Sequence, residues 1–340
     1  MEQGDANSER REEPAQVDPT LRALHTLRAQ LRARIIGQDA LIDRLLIALL
    51  CDGHLLVEGA PGLAKTTAIK VLASHIEGEY HRIQFTPDLL PADVTGTEIY
   101  RPGDGSFAFQ HGPVFHNMVL ADEINRAPAK VQSALLEAMA ERQVTVGRST
   151  YPLPELFLVM ATQNPIEQEG TYPLPEAQLD RFQMYVRIDY PAAEAEQQIL
   201  HLNRAEASRE AAHVAPEAAT IVTGDQVFDA RRKVLAIHLA DHLERYLVEL
   251  VLATREPSRY GEDLARWVSF GASPRATIAL DRTARAHAWL SGRDYVTPED
   301  IQVLAHDVLR HRVLLSFEAE ADGVQADGFV DALLERVPVP

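Results

Sequence analysis

The sequence predicts an α/β domain built on a parallel sheet, followed by an all-α domain, and three observations lead there. The first is His54-Leu-Leu-Val-Glu-Gly-Ala-Pro-Gly-Leu-Ala-Lys-Thr-Thr67, which reads as strand, turn-rich loop and helix start. The second is the series of later apolar runs, Tyr80 to Phe85, Val119 to Ala121, Leu156 to Met160 and Met184 to Ile188, separated by helical stretches. Strands that alternate with helices form a doubly wound parallel sheet. The third is the change beyond Tyr190-Pro191, where Ala/Glu/Arg/Leu-rich segments of helical period take over.

The 340 residues, 46% of them apolar, suffice to bury a sizeable core in two domains without covalent staples. Cys51 is the only cysteine, so a disulfide framework within the chain is excluded, and a reducing cytoplasmic setting is expected. It lies in an apolar helical run and reads as a core residue. Lys and Arg number 33 against 50 acids, a formal net charge of −17. Nucleic-acid binding depends chiefly on cations meeting phosphates, so no nucleic-acid partner is expected. No apolar run reaches the ~18 uncharged residues of a membrane span, because Asp43 and Arg44 interrupt the best candidate. Membrane insertion is not expected.

Residues 1–19 are polar and aperiodic and read as a disordered tail. Leu21, Leu24, Leu27 and Leu31 recur at helical spacing, and Gln38 to Cys51 reads as a second, buried helix. Thr86 to Gly96 has loop chemistry. Glu98 to Tyr100 and Ser106 to Gln110 flank the Pro102-Gly-Asp-Gly105 turn as a hairpin, with Phe107 and Phe109 on one face. Ala129 to Glu141 is a helix, and a second hairpin turns at Gly147-Arg148. Leu156 to Met160 has the uninterrupted apolar character of a strand buried on both faces. Past the sheet, helices are expected over Glu194 to Glu206, Gly224 to Leu239, His242 to Thr254, Pro274 to Ser291 and Pro298 to Arg312. The last starts with a hydroxyl cap at Thr297, proline at the first helical position and acids in the first turn. The domains are therefore expected at 20–190 and 191–316, with 317–340 a C-terminal tail.

Two of these segments carry chemistry. The loop Gly59-Ala60-Pro61-Gly62-Leu63-Ala64 opens a helix at Lys65-Thr66-Thr67. Such a loop points successive N–H groups at phosphate oxygens, and its Lys and hydroxyl reach the terminal phosphates and a Mg²⁺. A nucleoside triphosphate with Mg²⁺ is the expected ligand. The strict pattern has glycine where Ala64 stands, and the methyl is acceptable if the backbone is already helical there. The other segment is Val119-Leu-Ala-Asp-Glu123, an apolar strand ending in two carboxylates. Ligands bind outside the carboxyl ends of parallel strands, so these acids are placed for a metal and a water.

Over roughly residues 20 to 315 the chain resembles the MoxR family of AAA+ ATPases, in the branch with a hairpin inserted in the second core helix. The resemblance rests on Gly59-Ala-Pro-Gly-Leu-Ala-Lys-Thr66, Gln84-Phe-Thr-Pro-Asp-Leu-Leu-Pro-Ala-Asp-Val-Thr-Gly96, Leu120-Ala-Asp-Glu-Ile-Asn-Arg126, Ala161-Thr-Gln-Asn-Pro165, Leu174-Pro-Glu-Ala-Gln-Leu-Asp-Arg-Phe182 and Ala272-Ser-Pro-Arg275. In this family alanine before the lysine is usual. The resemblance implies an AAA+ P-loop NTPase core with an all-α lid domain. Lys65 would hold the β- and γ-phosphates, and Thr66 and Asp122 the Mg²⁺. Glu123 would polarise the attacking water and Asn164 orient it. Arg181 would be an arginine finger reaching a neighbouring subunit's nucleotide, Arg275 an arginine of the lid acting in its own subunit or across the interface, and Ile36 with Ile35 an adenine wall.

The function implied is an ATP-hydrolysing, chaperone-like machine. It would form a homo-oligomer, by family expectation a hexameric ring, and remodel or mature a client protein complex with a von Willebrand factor A domain partner. Both hairpins would face the pore or the client. Two other readings are a nucleotide-gated scaffold whose turnover is incidental and a DNA-remodelling motor, which the acidic balance disfavours.

Overall fold

A computed structural model describes residues 18–103, 105–165, 170–211 and 221–340. The tail expected over 1–19 lies outside the described residues as far as position 17. Asp18 caps the first helix by accepting the Thr20 N–H at 3.0 Å. That helix, α1 (Pro19–Arg34), buries Leu24, Leu27 and Leu31, and α2 (Asp39–Leu50) is buried along most of its length, ending beside the buried thiol of Cys51.

Next come β1 (Leu55–Glu58), α3 (Lys65–Ala73), β2 (Tyr80–Gln84), α4 (Pro91–Thr95), the hairpin β3 (Gly96–Arg101) and β4 (Ser106–His111), and β5 (Met118–Asp122). They are followed by α5 (Ala129–Glu141), the hairpin β6 (Gln143–Val146) and β7 (Ser149–Pro152), β8 (Leu158–Gln163), α6 (Glu176–Leu179) and β9 (Met184–Arg187). The stretch expected to be loop between β2 and β3 contains α4. Pro91 sits in its first turn, and Asp93 accepts the Leu90 N–H at 2.8 Å, which together start a helix.

The central sheet has the order β2-β5-β8-β1-β9 and is parallel throughout. Strand alternation assigns each side chain to a face. Leu55, Val57, Met118, Leu120, Leu158, Met160, Met184 and Val186 join the core that holds α1, α2 and α3. Leu56, Val119, Ala121, Val159 and Ala161 join the opposite core with Phe85, Phe157, Phe182 and the apolar side of α5. Burial on both faces is why these strands read as continuous apolar runs, and each fully buried Leu or Val contributes roughly 1.5–3 kcal/mol.

The two hairpins touch through an aromatic stack. Phe109 of β4 lies 4.0 Å from the Tyr151 ring of β7, the planes 15° apart. Phe107 does not share that environment: it is 67% exposed and meets only Tyr100 among the described rings, across the strand pair. The two phenylalanines expected together on one face therefore have different surroundings.

The second half contains α7 (Ala193–Ala211), α8 (Gly224–Ala236), α9 (Asp241–Arg255), α10 (Glu262–Trp267), β10 (Val268–Phe270), α11 (Pro274–Leu290), α12 (Pro298–Leu309), β11 (Leu314–Leu315), α13 (Phe317–Ala321) and α14 (Ala326–Arg336). The short strands β10 and β11 pair antiparallel among the helices. The segment expected as a tail beyond Phe317 is instead folded. The α14 helix buries Phe329, Val330 and Leu333 in the core that also holds Leu304 and Val308 of α12. Its period was obscured by the acids around it, although Phe329, Val330 and Leu333 have the spacing of one helix face. Among the described residues no helix is long and apolar enough to cross a membrane.

Candidate nucleotide site

The carboxyl ends of β1, β5 and β8 converge. A cavity of about 370 Å³ there is lined by Pro61 to Thr67, Asp122, Glu123, Thr162 and Asn164. The loop after β1 begins at Gly59, where a Cβ would collide with Ile188 beyond β9, so only glycine lets the loop leave the sheet at that point. Gly62 takes φ +84°. Lys65 Nζ donates back to the Gly59 carbonyl and, at 3.2 Å, to the Gln163 carbonyl at the end of β8. The lysine thus lies across the mouth of its own loop.

Ala64 departs from expectation. Its backbone is left-handed, φ 58° and ψ 18°, not helical, and it caps α3 from that conformation. The glycine of the strict pattern is the residue this geometry favours, and a Cβ carried there costs about 1–2 kcal/mol. Replacing Ala64 by glycine is expected to stabilise the fold by about 1 kcal/mol, after the extra chain entropy of glycine is subtracted. Chemical unfolding of Ala64→Gly would show a raised midpoint at unchanged slope; an unchanged or lowered midpoint would refute the strain.

Asp122 ends β5 and is 7% exposed. Its Oδ1 accepts the Thr162 hydroxyl at 2.6 Å, and its Oδ2 accepts Arg82 Nε at 3.0 Å and Nη2 at 2.6 Å. Glu123 follows in a left-handed conformation, φ 56°, and its N–H donates to Thr162 Oγ1 at 2.9 Å. A non-glycine residue at such a φ is a local strain of the kind found at functional sites. The Glu123 carboxylate accepts from Gln84 Nε2 at 2.7 Å and pairs with Arg126 at 3.1 Å.

Thr162, 1% exposed, bridges Asp122 and Glu123 across paired strands and is not among the site residues expected from the sequence. A hydroxyl inside an otherwise apolar strand was the available signal. Asn164, buried just past β8, lines the same cavity.

One carboxylate, a threonine hydroxyl and phosphate oxygens make the hard-oxygen donor set that Mg²⁺ takes, with water completing its octahedron. Thr66 and Asp122 line one cavity, so the residues present fit that ion. Among the described residues no cluster of three His, Cys, Asp or Glu groups offers an all-protein metal cage, which a nucleotide-borne Mg²⁺ does not need. Ile36 is half-buried in the turn between α1 and α2 and does not line this cavity, and neither do Gly59 or Ala60.

Arg181 and Arg275 do not line it either. They line a second cavity, of about 200 Å³, with Asp180, Arg312, Ala140 and Ile278. Arg181 Nη1 donates to the Leu136 carbonyl at 2.9 Å. Its neighbour Asp180 has other partners: it accepts Arg312 Nε at 2.8 Å and the Ser273 hydroxyl at 2.8 Å. Ser273 also receives the Arg275 N–H, at 3.2 Å, at the start of α11. Arg312 is almost wholly buried. Burial pushes its pKa down, the Asp180 contact pushes it up, and neighbouring Arg275 adds to the lowering. In the sequence Arg312 marks only the end of an expected helix. Three arginines facing one carboxylate leave this cavity cationic and suited to an anion.

Residues 54–184 match the model of the ATPase family associated with various cellular activities (AAA), and residues 264–333 match that of the AAA lid domain. The chain is 46% identical to chaperone MoxR1 of Mycobacterium tuberculosis, covering 93% of this chain and 83% of that protein. It is 34% identical to the protein MoxR of Paracoccus denitrificans, over 92% and 95% of the two. A crystal structure from Cytophaga hutchinsonii, described as a candidate ATPase, superposes with a TM-score of 0.84 at 45% identity, covering 94% of this chain and 96% of that one.

Proposed function

The chain belongs to the MoxR family of AAA+ ATPases, and from that premise we propose that it is a ring-forming ATPase whose hydrolysis remodels or matures a client protein complex. The observation that carries the shared site is the separation of the charged groups into two cavities. Lys65, Thr66, Asp122, Glu123 and Asn164 surround one, and Arg181 and Arg275 line another. A hydrolytic centre needs cations on the γ-phosphate as charge spreads over its oxygens. Here they come from the next subunit, with Arg181 as the finger and Arg275 beside it.

Within one subunit, Lys65 and the loop N–H groups would hold the phosphates, and Thr66 and Asp122 would hold Mg²⁺, which would supply neutralisation of the phosphate charge. Glu123 takes the proton of the attacking water, Asn164 orients that water, and Thr162 ties the Asp122 carboxylate to the Glu123 backbone. Ile36, with the buried Ile35, borders the adenine. We place the protein in the cytoplasm as a hexamer acting with a von Willebrand factor A domain partner. The chaperone named among its relatives supports the client-directed reading.

A shared site makes activity depend on assembly. ATP hydrolysis per subunit is expected to rise with protein concentration in step with the mass from light scattering. A monomer with constant specific activity would rule out the shared site and favour the nucleotide-gated scaffold.

A further inference from the structure

We propose that Arg82 is a positioning residue that occupies one carboxylate oxygen of Asp122 and sets how tightly the site takes its divalent cation; this rests on the nucleotide reading above. The argument begins with register. In the β2–β5 pair, Arg82 stands opposite Leu120 and Gln84 opposite Asp122. Arg82 and Gln84 are two residues apart and so share a face, while Ile83 between them is buried on the other. From its position two residues short of Asp122, Arg82 leans along the strand and delivers both Nε and Nη2 to one oxygen, Oδ2. The other oxygen already carries the Thr162 hydroxyl. Each oxygen of Asp122 therefore has a donor.

A Mg²⁺ held through water needs the same oxygens to accept from its water ligands. The guanidinium, which holds Oδ2, and the hydrated ion would then compete for the carboxylate. The carboxylate is buried, whereas the Arg82 side chain is 48% exposed and can leave without unpacking a core. Gln84 and Arg126 hold Glu123 in the same way, so cation entry and release of the second acid concern one small group of side chains on β2 and just after β5. β2 is an outer strand of the sheet, and the chain runs from it through α4 into the β3–β4 hairpin.

The test is a Mn²⁺ titration followed by electron paramagnetic resonance, with a non-hydrolysable ATP analogue bound, on the full chain and on Arg82→Ala, Arg82→Gln and Arg82→Lys. Removing a charge-assisted contact that opposes the ion is expected to tighten Mn²⁺ binding about tenfold in Arg82→Ala. Arg82→Gln carries the same expectation should the alanine variant fail to fold, and Arg82→Lys, which keeps the charge, is expected to fall back toward the parent affinity. Unchanged or weaker Mn²⁺ binding in the neutral variants would overturn the proposal and make the pair a structural tie. Binding of a fluorescent ATP analogue to the parent chain in chelator separates the two levels. If the analogue binds and Mn²⁺ affinity does not tighten, only the role of Arg82 falls. If the analogue does not bind at all, the nucleotide reading falls and takes this one with it.

Discussion

Replacing Arg181 by alanine is expected to leave ATP binding intact and to lower turnover by about 10³–10⁵, the range an arginine finger supplies in GTPases. The binding groups and Arg181 line separate cavities, so its loss does not disturb the phosphate loop of the same subunit. The side chain is tied to its own subunit by the bond to the Leu136 carbonyl, a contact to a neutral acceptor that exchange for a phosphate oxygen would more than replace. Mixed rings provide the decisive measurement. Arg181→Ala subunits lack the finger but keep Glu123, while Glu123→Gln subunits keep the finger but lack the base. Mixing the two inactive proteins is expected to restore part of the activity, because some interfaces then pair an intact Glu123 with an intact Arg181. Equal inactivity of the mixture and its components would count against action across the interface.

Glu123→Gln by itself is expected to keep nucleotide affinity and lose hydrolysis by about 10²–10⁴, the usual contribution of a positioned general base. The substitution is nearly isosteric. The amide can still accept from Gln84 or Arg126 through its remaining oxygen, and the backbone bond to Thr162 is untouched. Structure is thus preserved while proton acceptance is removed. The same variant separates the functional readings: client processing that continues at full rate without hydrolysis would leave a nucleotide-gated scaffold in place of a motor. A fall in nucleotide affinity as large as the fall in rate would mean that Glu123 serves binding rather than the water.

The phosphate loop and the Asp122-Glu123 pair were legible in the sequence because their chemistry is local: one turn and the end of one strand contain the signal. The strands were legible because burial on both faces writes itself as unbroken apolar runs, as in Leu158 to Ala161. What escaped depends on register between strands far apart in the chain. Thr162 and Arg82 are each 40 positions from Asp122 and meet it only when β8 and β2 flank β5. Arg312 was similarly hidden, since its partner Asp180 lies 132 residues away. Backbone sign was another limit. Ala64 has no Cγ or polar atom to advertise a left-handed conformation, and the sequence pointed to an ordinary helical residue there. The helix α14 was missed because acids on its exposed face diluted the period that Phe329, Val330 and Leu333 carry.

The two bonds on the Asp180 carboxylate give the molecule a lever. One comes from Arg312, just beyond α12, and the other from Ser273, at the start of α11, so both principal lid helices are fastened to a single residue of the segment entering β9. The next residue along the chain is Arg181. A rotation of the lid must either break those bonds or drag the Arg181 backbone with it. If Arg181 acts across the interface, the swing of one subunit's lid reaches its neighbour as a displacement of one guanidinium, and the order of firing around a ring is then carried by a carboxylate that itself touches no nucleotide.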